Sequence, residues 1–255
     1  MEDTAPVKEI KYSAFRKNFL KSIVILLLLF SIAYAENNHD ENDIVSKIID
    51  AYGGKDNLAK VISIAAEGHI NNFFSNDEGT YFRYIKRDRK LYVNIKYSRT
   101  EEKRILNGDK GYRGSDGKVS EVKGPPYDAM VYQYNQLDLP YGFIIDNTFK
   151  VTYLRKDALN GIDVKVLKVS DKYGHDIEVY VSARAFFILK VVGSFGKGDN
   201  AMSLGAEFSD FNKVNGVLLP FKITNYADST KISETKITKY TINPSVDESA
   251  YFSNH

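Results

Sequence analysis

Cysteine and tryptophan are both absent from this 255-residue sequence, and proline is scarce at six. Without cysteine there is no disulfide framework, thiolate zinc site, iron–sulfur cluster, thiol nucleophile or covalent haem attachment, and no N-terminal cysteine to carry a lipid anchor. A long apolar run is also missing. The most hydrophobic stretch, Ile23 to Ala35, has 13 residues, short of the roughly 20 that span a bilayer. Neither charge dominates, with 35 Lys and Arg against 33 Asp and Glu.

That apolar run follows Lys17 and Lys21 and ends in Ala33-Tyr34-Ala35 before the polar Glu36-Asn37-Asn38. A charged start, a short apolar centre and a small-x-small end describe an export signal cut before Glu36. We therefore expect residues 1–35 to be a signal peptide, 36–42 a flexible lead, and 43–255 one domain in the periplasm, with peripheral contact to the envelope. Five basic and three acidic residues lie in the first 35, which leaves 30 of each sign in the remainder. A near-neutral domain lacks the electrostatic footprint of a nucleic-acid binder.

What is abundant is aromatic and sheet-forming, with 18 Tyr and 15 Phe. Ile44, Val45, Ile48, Ile49 and Tyr52 fall on one helical stripe, with Asn42 or Asp43 to cap its start and Gly53-Gly54 to stop it. A short turn, Lys55 to Lys60, follows. After Val61 the apolar period becomes two. Strands are expected near Thr80–Arg87, Leu91–Tyr97, Ile105–Leu106, Tyr112–Gly114, Phe149–Arg155, Val164–Val169, Ile177–Val181, Phe186–Ser194, Leu204–Phe208, Val217–Tyr226 and Ile232–Ile242. Asn160-Gly161, Asn215-Gly216 and the 196–200 stretch mark hairpin turns between them. One further helix is expected over Tyr127–Leu137, broken by Leu139-Pro140-Tyr141-Gly142. The pattern predicts a mainly β (α+β) domain: a single curved antiparallel sheet, or incomplete barrel, wrapping two or three helices.

Reactive groups are few. His39 and His255 sit in polar termini, His69 stands alone on the first strand, and His175-Asp176 lies in a glycine-containing turn. No local spacing assembles a metal site or triad, and the Gly53-Gly54-Lys55 and Gly196-Lys197-Gly198 stretches lack the full phosphate-loop pattern. No catalytic residue, metal or cofactor is expected, and the chain reads as a monomer without enzymatic activity. Its positive feature is apolar surface on curved strands. Alternation nominates Tyr84, Val93, Ile95, Val179, Leu189, Phe208 and Phe221 as the lining of an acyl-chain cavity. The same residues also read as ordinary core. An exposed aromatic patch around Tyr127, Tyr132 and Tyr134 would instead suit an envelope protein partner.

Three stretches carry a resemblance. Ile48-Ile49-Asp50-Ala51-Tyr52-Gly53-Gly54-Lys55 with Ala66-Glu67-Gly68 resembles the start of LolA-like periplasmic proteins. Asn160-Gly161-Ile162-Asp163-Val164 is similar to their central hairpin. Phe208 to Pro220, with Asn215-Gly216-Val217, and then Asn243-Pro244 through Phe252, resemble their closing segment. The resemblance implies an incomplete β-barrel around helices, an apolar cavity, and acyl chains or acylated lipoproteins as ligands, in outer-membrane lipoprotein sorting. It also implies a cavity arginine that bonds to a lid helix. Arg83 and Arg87 lie on an early strand, and no local motif assigns that role to either. The alternative the resemblance leaves is a non-enzymatic interaction module without lipid cargo.

Overall fold

The computed structural model describes residues 41–145, 148–195 and 202–252. Two units are distinguished, residues 1–43 and 44–255, and of the first only 41–43 are described. The expected signal, its cut before Glu36 and the 196–200 hairpin tip lie outside the described residues.

Helix α1 occupies 41–51, so Asn42 and Asp43 lie within it and not at its cap. Helix α2 (Lys55–Ala59) follows the Gly53-Gly54 break. Thirteen strands then form one antiparallel sheet: β1 (Ser63–Asn72), β2 (Asp77–Lys86), β3 (Lys90–Tyr97), β4 (Glu101–Asn107), β5 (Lys110–Ser115), β6 (Lys118–Val122), β7 (Phe149–Leu159), β8 (Ile162–Asp171), β9 (Asp176–Ser182), β10 (Ile188–Phe195), β11 (Met202–Val214), β12 (Val217–Ala227) and β13 (Thr230–Ile242). Helix α3 (Pro125–Gly142) interrupts the meander after β6, and α4 (Ser249–Phe252) ends it. The spatial order is β6-β5-β4-β3-β2-β1-β13-β12-β11-β10-β9-β8-β7. Each strand pairs with its sequence neighbour except where β1 meets β13. The sheet stays open, with β6 and β7 as edges, so it is not a closed barrel.

Two expectations need correction. Strand β6, polar and only five residues long, carries no alternation to announce it. Helix α3 continues through Pro140 to Gly142. Proline lacks the N–H for one helical bond, yet the Phe143 N–H still donates to the Leu139 carbonyl and Pro140 is buried. Pro220, opposite Phe211 of β11, lies where β12 has no β13 partner, since that pairing begins only at Lys222, a local edge that suits a residue without an N–H.

The turns follow the chemistry of their residues. Asn160-Gly161 (φ +50°, +79°) and Asn215-Gly216 (φ +48°, +83°) both take the left-handed pair of a type I′ hairpin. Gly53 has a tighter constraint. At φ +123°, a Cβ there would lie 2.3 Å from the Gly216 carbonyl oxygen, so the end of α1 rests directly on the β11–β12 turn. Tyr52 completes the joint: its carbonyl accepts from Leu218 N–H at 3.1 Å and its hydroxyl accepts from Ile188 N–H at 3.2 Å. Gly53→Ala is expected to lower stability by about 2–3 kcal/mol, read as a depressed midpoint in chemical denaturation. An unchanged midpoint would show that the joint adjusts freely.

Candidate functional site

Helix α3 lies across one face of the sheet, and its contacts show how far the sheet curls. Gln133 accepts from the Arg104 guanidinium of β4 at 3.4 Å, while the adjacent Tyr132 donates its hydroxyl to the Val191 carbonyl of β10 at 3.0 Å. Seven strand spacings separate β4 from β10, about 34 Å in a flat sheet. Two adjacent side chains cannot bridge that distance, so the sheet wraps around the helix. Glycines admit the approach: a Cβ at Gly111 or Gly193 would collide with Met130 and Tyr127, or with Tyr132.

The covered face is apolar, built from residues such as Ile64, Ile85, Val93, Ile95, Val179, Phe208 and Leu219. The helix that covers it is less so. Asn135, Gln136 and Asp138 are all buried on α3. Asn135 donates to Asp171 of β8 at 3.1 Å. Asp138, 6% exposed, has its carboxyl pushed up to about 7, chiefly by burial, with partial relief from the Arg87 charge and the Tyr134 hydroxyl. Gln136 Oε1 and Tyr141 Oη have no partner. Burial also drives the Tyr132, Tyr134 and Tyr141 hydroxyls well above the usual phenol range, so all three stay neutral.

Between α3 and the sheet lies a cavity of about 40 Å³, bounded by Arg83, Gln136, Tyr141, Phe208, Leu219 and Tyr240 among others. It has room for a few waters and not for an acyl chain. Arg83 is its most unusual wall. Only 4% exposed, it reaches the hydroxyls of Tyr81 and Tyr240, and its Nε has no partner. No carboxylate forms an ion pair with it among the described residues. Arg87, by contrast, donates to the Leu58 carbonyl of α2 at 2.8 Å.

The seven residues expected to line one cavity are only partly brought together. Val93, Ile95, Val179 and Phe208 belong to the helix-side core, and Phe221 packs at its margin, edge-on to Tyr240 at 5.1 Å. Of the seven, Phe208 alone lines the cavity. Leu189 falls at a β-bulge where Ile188 and Lys190 take the paired positions, so alternation misplaces it. Tyr84 faces the other way. On the opposite side of the sheet it joins Ala65, Tyr92, Ile105 and Tyr112 in a second cluster, with Tyr251 of α4 seated 5.4 Å from Tyr84 and 4.7 Å from Tyr92. Glu248 fastens this tail by pairing with Lys86 and, at 2.9 Å, with Lys90, which holds its carboxyl down at about 2. Because that depressed value lies below the unfolded one, the clamp is intact at neutral pH and weakens as pH falls toward 2. Glu248→Gln is expected to remove about 1 kcal/mol at neutral pH, measured by urea denaturation, and to leave stability near pH 2 unchanged. Equal loss at both would assign the effect to packing.

The expected aromatic patch is also corrected: on α3 itself Tyr132 and Tyr134 are buried and Tyr127 is half-buried, because they anchor the helix. Gln136 and Asp138 were missed, and between Arg83 and Arg87 the sequence made no choice. A charged or amide residue on an alternating strand or helix reads as outward-facing, and nothing local reverses that reading. His175 Nδ1 pairs with Asp171 at 2.9 Å inside the turn that Asp171 also caps through the Tyr173 and His175 N–H groups. No hydroxyl bonds to this imidazole, and no cluster of three metal-ligating side chains forms, among the described residues. None of the described helices is long and apolar enough to cross a membrane.

No family model matches the chain, and no curated protein matches it. Solved structures do. An outer membrane lipoprotein-sorting protein domain from Vibrio parahaemolyticus is 13% identical, with 85% of this chain and 97% of that one covered at a TM-score of 0.53. A LolA superfamily protein from Nitrosomonas europaea is 13% identical over 82% and 96%, TM-score 0.53. A DUF1329 family protein from Desulfovibrio piger is 14% identical over 82% and 95%, TM-score 0.52. Likeness at such identity concerns the backbone arrangement alone, and on it the chain has a LolA-like fold.

Proposed function

We propose that this protein is an exported binder or carrier of acyl chains, free or attached to lipid or lipoprotein, which enter between α3 and the sheet. In this reading residues 1–35 are the export signal, 36–42 the lead, and 43–255 the working domain in the periplasm. The observation that carries it is a mismatch. An apolar sheet face is covered by a helix whose inner side buries Asn135, Gln136 and Asp138, with the Gln136 and Tyr141 oxygens unpartnered. Each unpartnered buried polar atom costs about 1–3 kcal/mol, so an acyl chain that enters beneath α3 covers the apolar sheet while the lifted helix regains water for its polar groups. The small size of the cavity fits a closed, unloaded state. The LolA-like fold and the lipoprotein-sorting description of one neighbour support the same reading.

The absence of cysteine allows a direct test. A Cβ at Gly193 would fall 2.5 Å from Tyr132 Cδ2, so the two positions adjoin, and a disulfide between Gly193→Cys and Tyr132→Cys, its formation checked by mass, would pin α3 to β10. Protein recovered from a Gram-negative periplasm is expected to carry acyl species by native mass spectrometry and organic extraction. The oxidised double variant should carry none, and reduction should restore uptake. A clean mass for both proteins would overturn the reading. A second reading, an envelope interaction module, draws on the β1–β2 turn, where Phe73 and Phe74 are 43% and 91% exposed. Loss of partner capture on Phe74→Ser with acyl binding absent throughout would favour it.

A further inference from the structure

Arg83 presents a charge that no carboxylate among the described residues balances. Its guanidinium is buried on β2, faces Val93 across the β2–β3 ladder, and is met by two neutral phenols. Tyr240 accepts from it while donating its own hydroxyl to the Pro220 carbonyl at 2.6 Å. Nε remains unpartnered, as do Gln136 Oε1 and Tyr141 Oη on the facing helix, and all three residues border the same cavity. A lone buried cation is among the costliest groups a fold can hold, and it is normally matched by an anion. Among the described residues none is paired with it.

Resting on the reading above, we infer that the cavity receives the carboxylate end of a free fatty acid, with Arg83 as its counter-charge. The donors select this group. Arg83 offers N–H groups in the fork that suits two carboxylate oxygens, and the Tyr141 hydroxyl can donate as a third. The hydrocarbon chain then runs out along the apolar face beneath α3, past Phe208 and Leu219. Esterified and amide-linked acyl chains, as in phospholipids and acylated lipoproteins, bring no charge to this point and leave Arg83 uncompensated.

Calorimetric titration of the delipidated protein with palmitate, methyl palmitate and lysophosphatidylcholine tests the assignment. Palmitate is expected to bind at least about tenfold more tightly than its methyl ester, which is about 1.4 kcal/mol, and more tightly than the lysolipid. Arg83→Met should bring palmitate and ester to equal affinity while chain binding persists, and Arg83→Lys should recover part of the difference. Equal affinity for acid and ester in the unmodified protein overturns the carboxylate assignment and leaves acyl binding standing. Failure of all three ligands overturns the acyl-site reading itself. Tighter lysolipid binding that depends on Arg83 would identify a phosphate as the anion and overturn the inference.

Discussion

Asp138→Asn should raise the stability of the protein by on the order of 3–4 kcal/mol at about pH 8, and change it little near pH 4. The carboxyl is 6% exposed and its value in the fold, about 7, stands above its ordinary 3.8. Burial is the main cause; Arg87 and the Tyr134 hydroxyl oppose it and Asp88 adds to it. Because the folded value is the higher one, the stability that the protonated form supplies is complete below about pH 4. It is lost progressively as pH rises toward 7 and stays lost above. Ionisation is easier once α3 leaves the sheet, so rising pH favours release of the helix. Amide exchange in α3, corrected for its intrinsic pH dependence, should therefore quicken between about pH 5 and 8 in the native protein and not in Asp138→Asn. Parallel behaviour of the two proteins would place the titration elsewhere. The C-terminal tail and α3 thus respond to different pH ranges, Glu248 releasing in acid and Asp138 toward neutrality.

The second large effect concerns Arg83. Replacing this buried, uncompensated cation by methionine of similar reach should stabilise the protein by about 1–4 kcal/mol at neutral pH. The gain comes from removing a charge whose desolvation no carboxylate offsets. The phenols it leaves are not both stranded, since Tyr240 keeps the Pro220 carbonyl. A residue that destabilises the fold in which it is embedded is one that something other than folding retains. A loss of stability on Arg83→Met, measured by urea denaturation, would instead make the guanidinium a structural hub for Tyr81 and Tyr240.

Much of the architecture was legible from residue order. Period-two alternation placed most of the strands within a few residues, as in Leu91, Val93 and Ile95, all buried on the helix side of β3. Asn-Gly pairs located two hairpins because few other sequences adopt two left-handed residues in succession. Gly53-Gly54 ended α1 as expected, although its close contact with Gly216 was invisible. Sheet order followed almost automatically, since a meander pairs neighbours and only β1 with β13 required a long-range contact.

What alternation cannot say is which of two faces is the inside. On β2 the sequence Tyr81-Phe82-Arg83-Tyr84-Ile85 offers aromatic or aliphatic groups to both sides. Elementary desolvation argues that Arg83 points to water and Tyr84 to the core. Tertiary structure turns Arg83 inward beneath α3, and the C-terminal tail covers the other face so that Tyr84 is buried there. Strand periodicity and turn positions depend on neighbours a few residues apart, and the absence of thiol chemistry on composition alone, so residue order is enough for all three. Only the folded chain decided that a helix from 125–142 would lie against strands seven places apart in the sheet. Burial of Arg83, Gln136 and Asp138 is a property of that packing, because desolvation depends on everything around a group and not on the residues beside it in the chain.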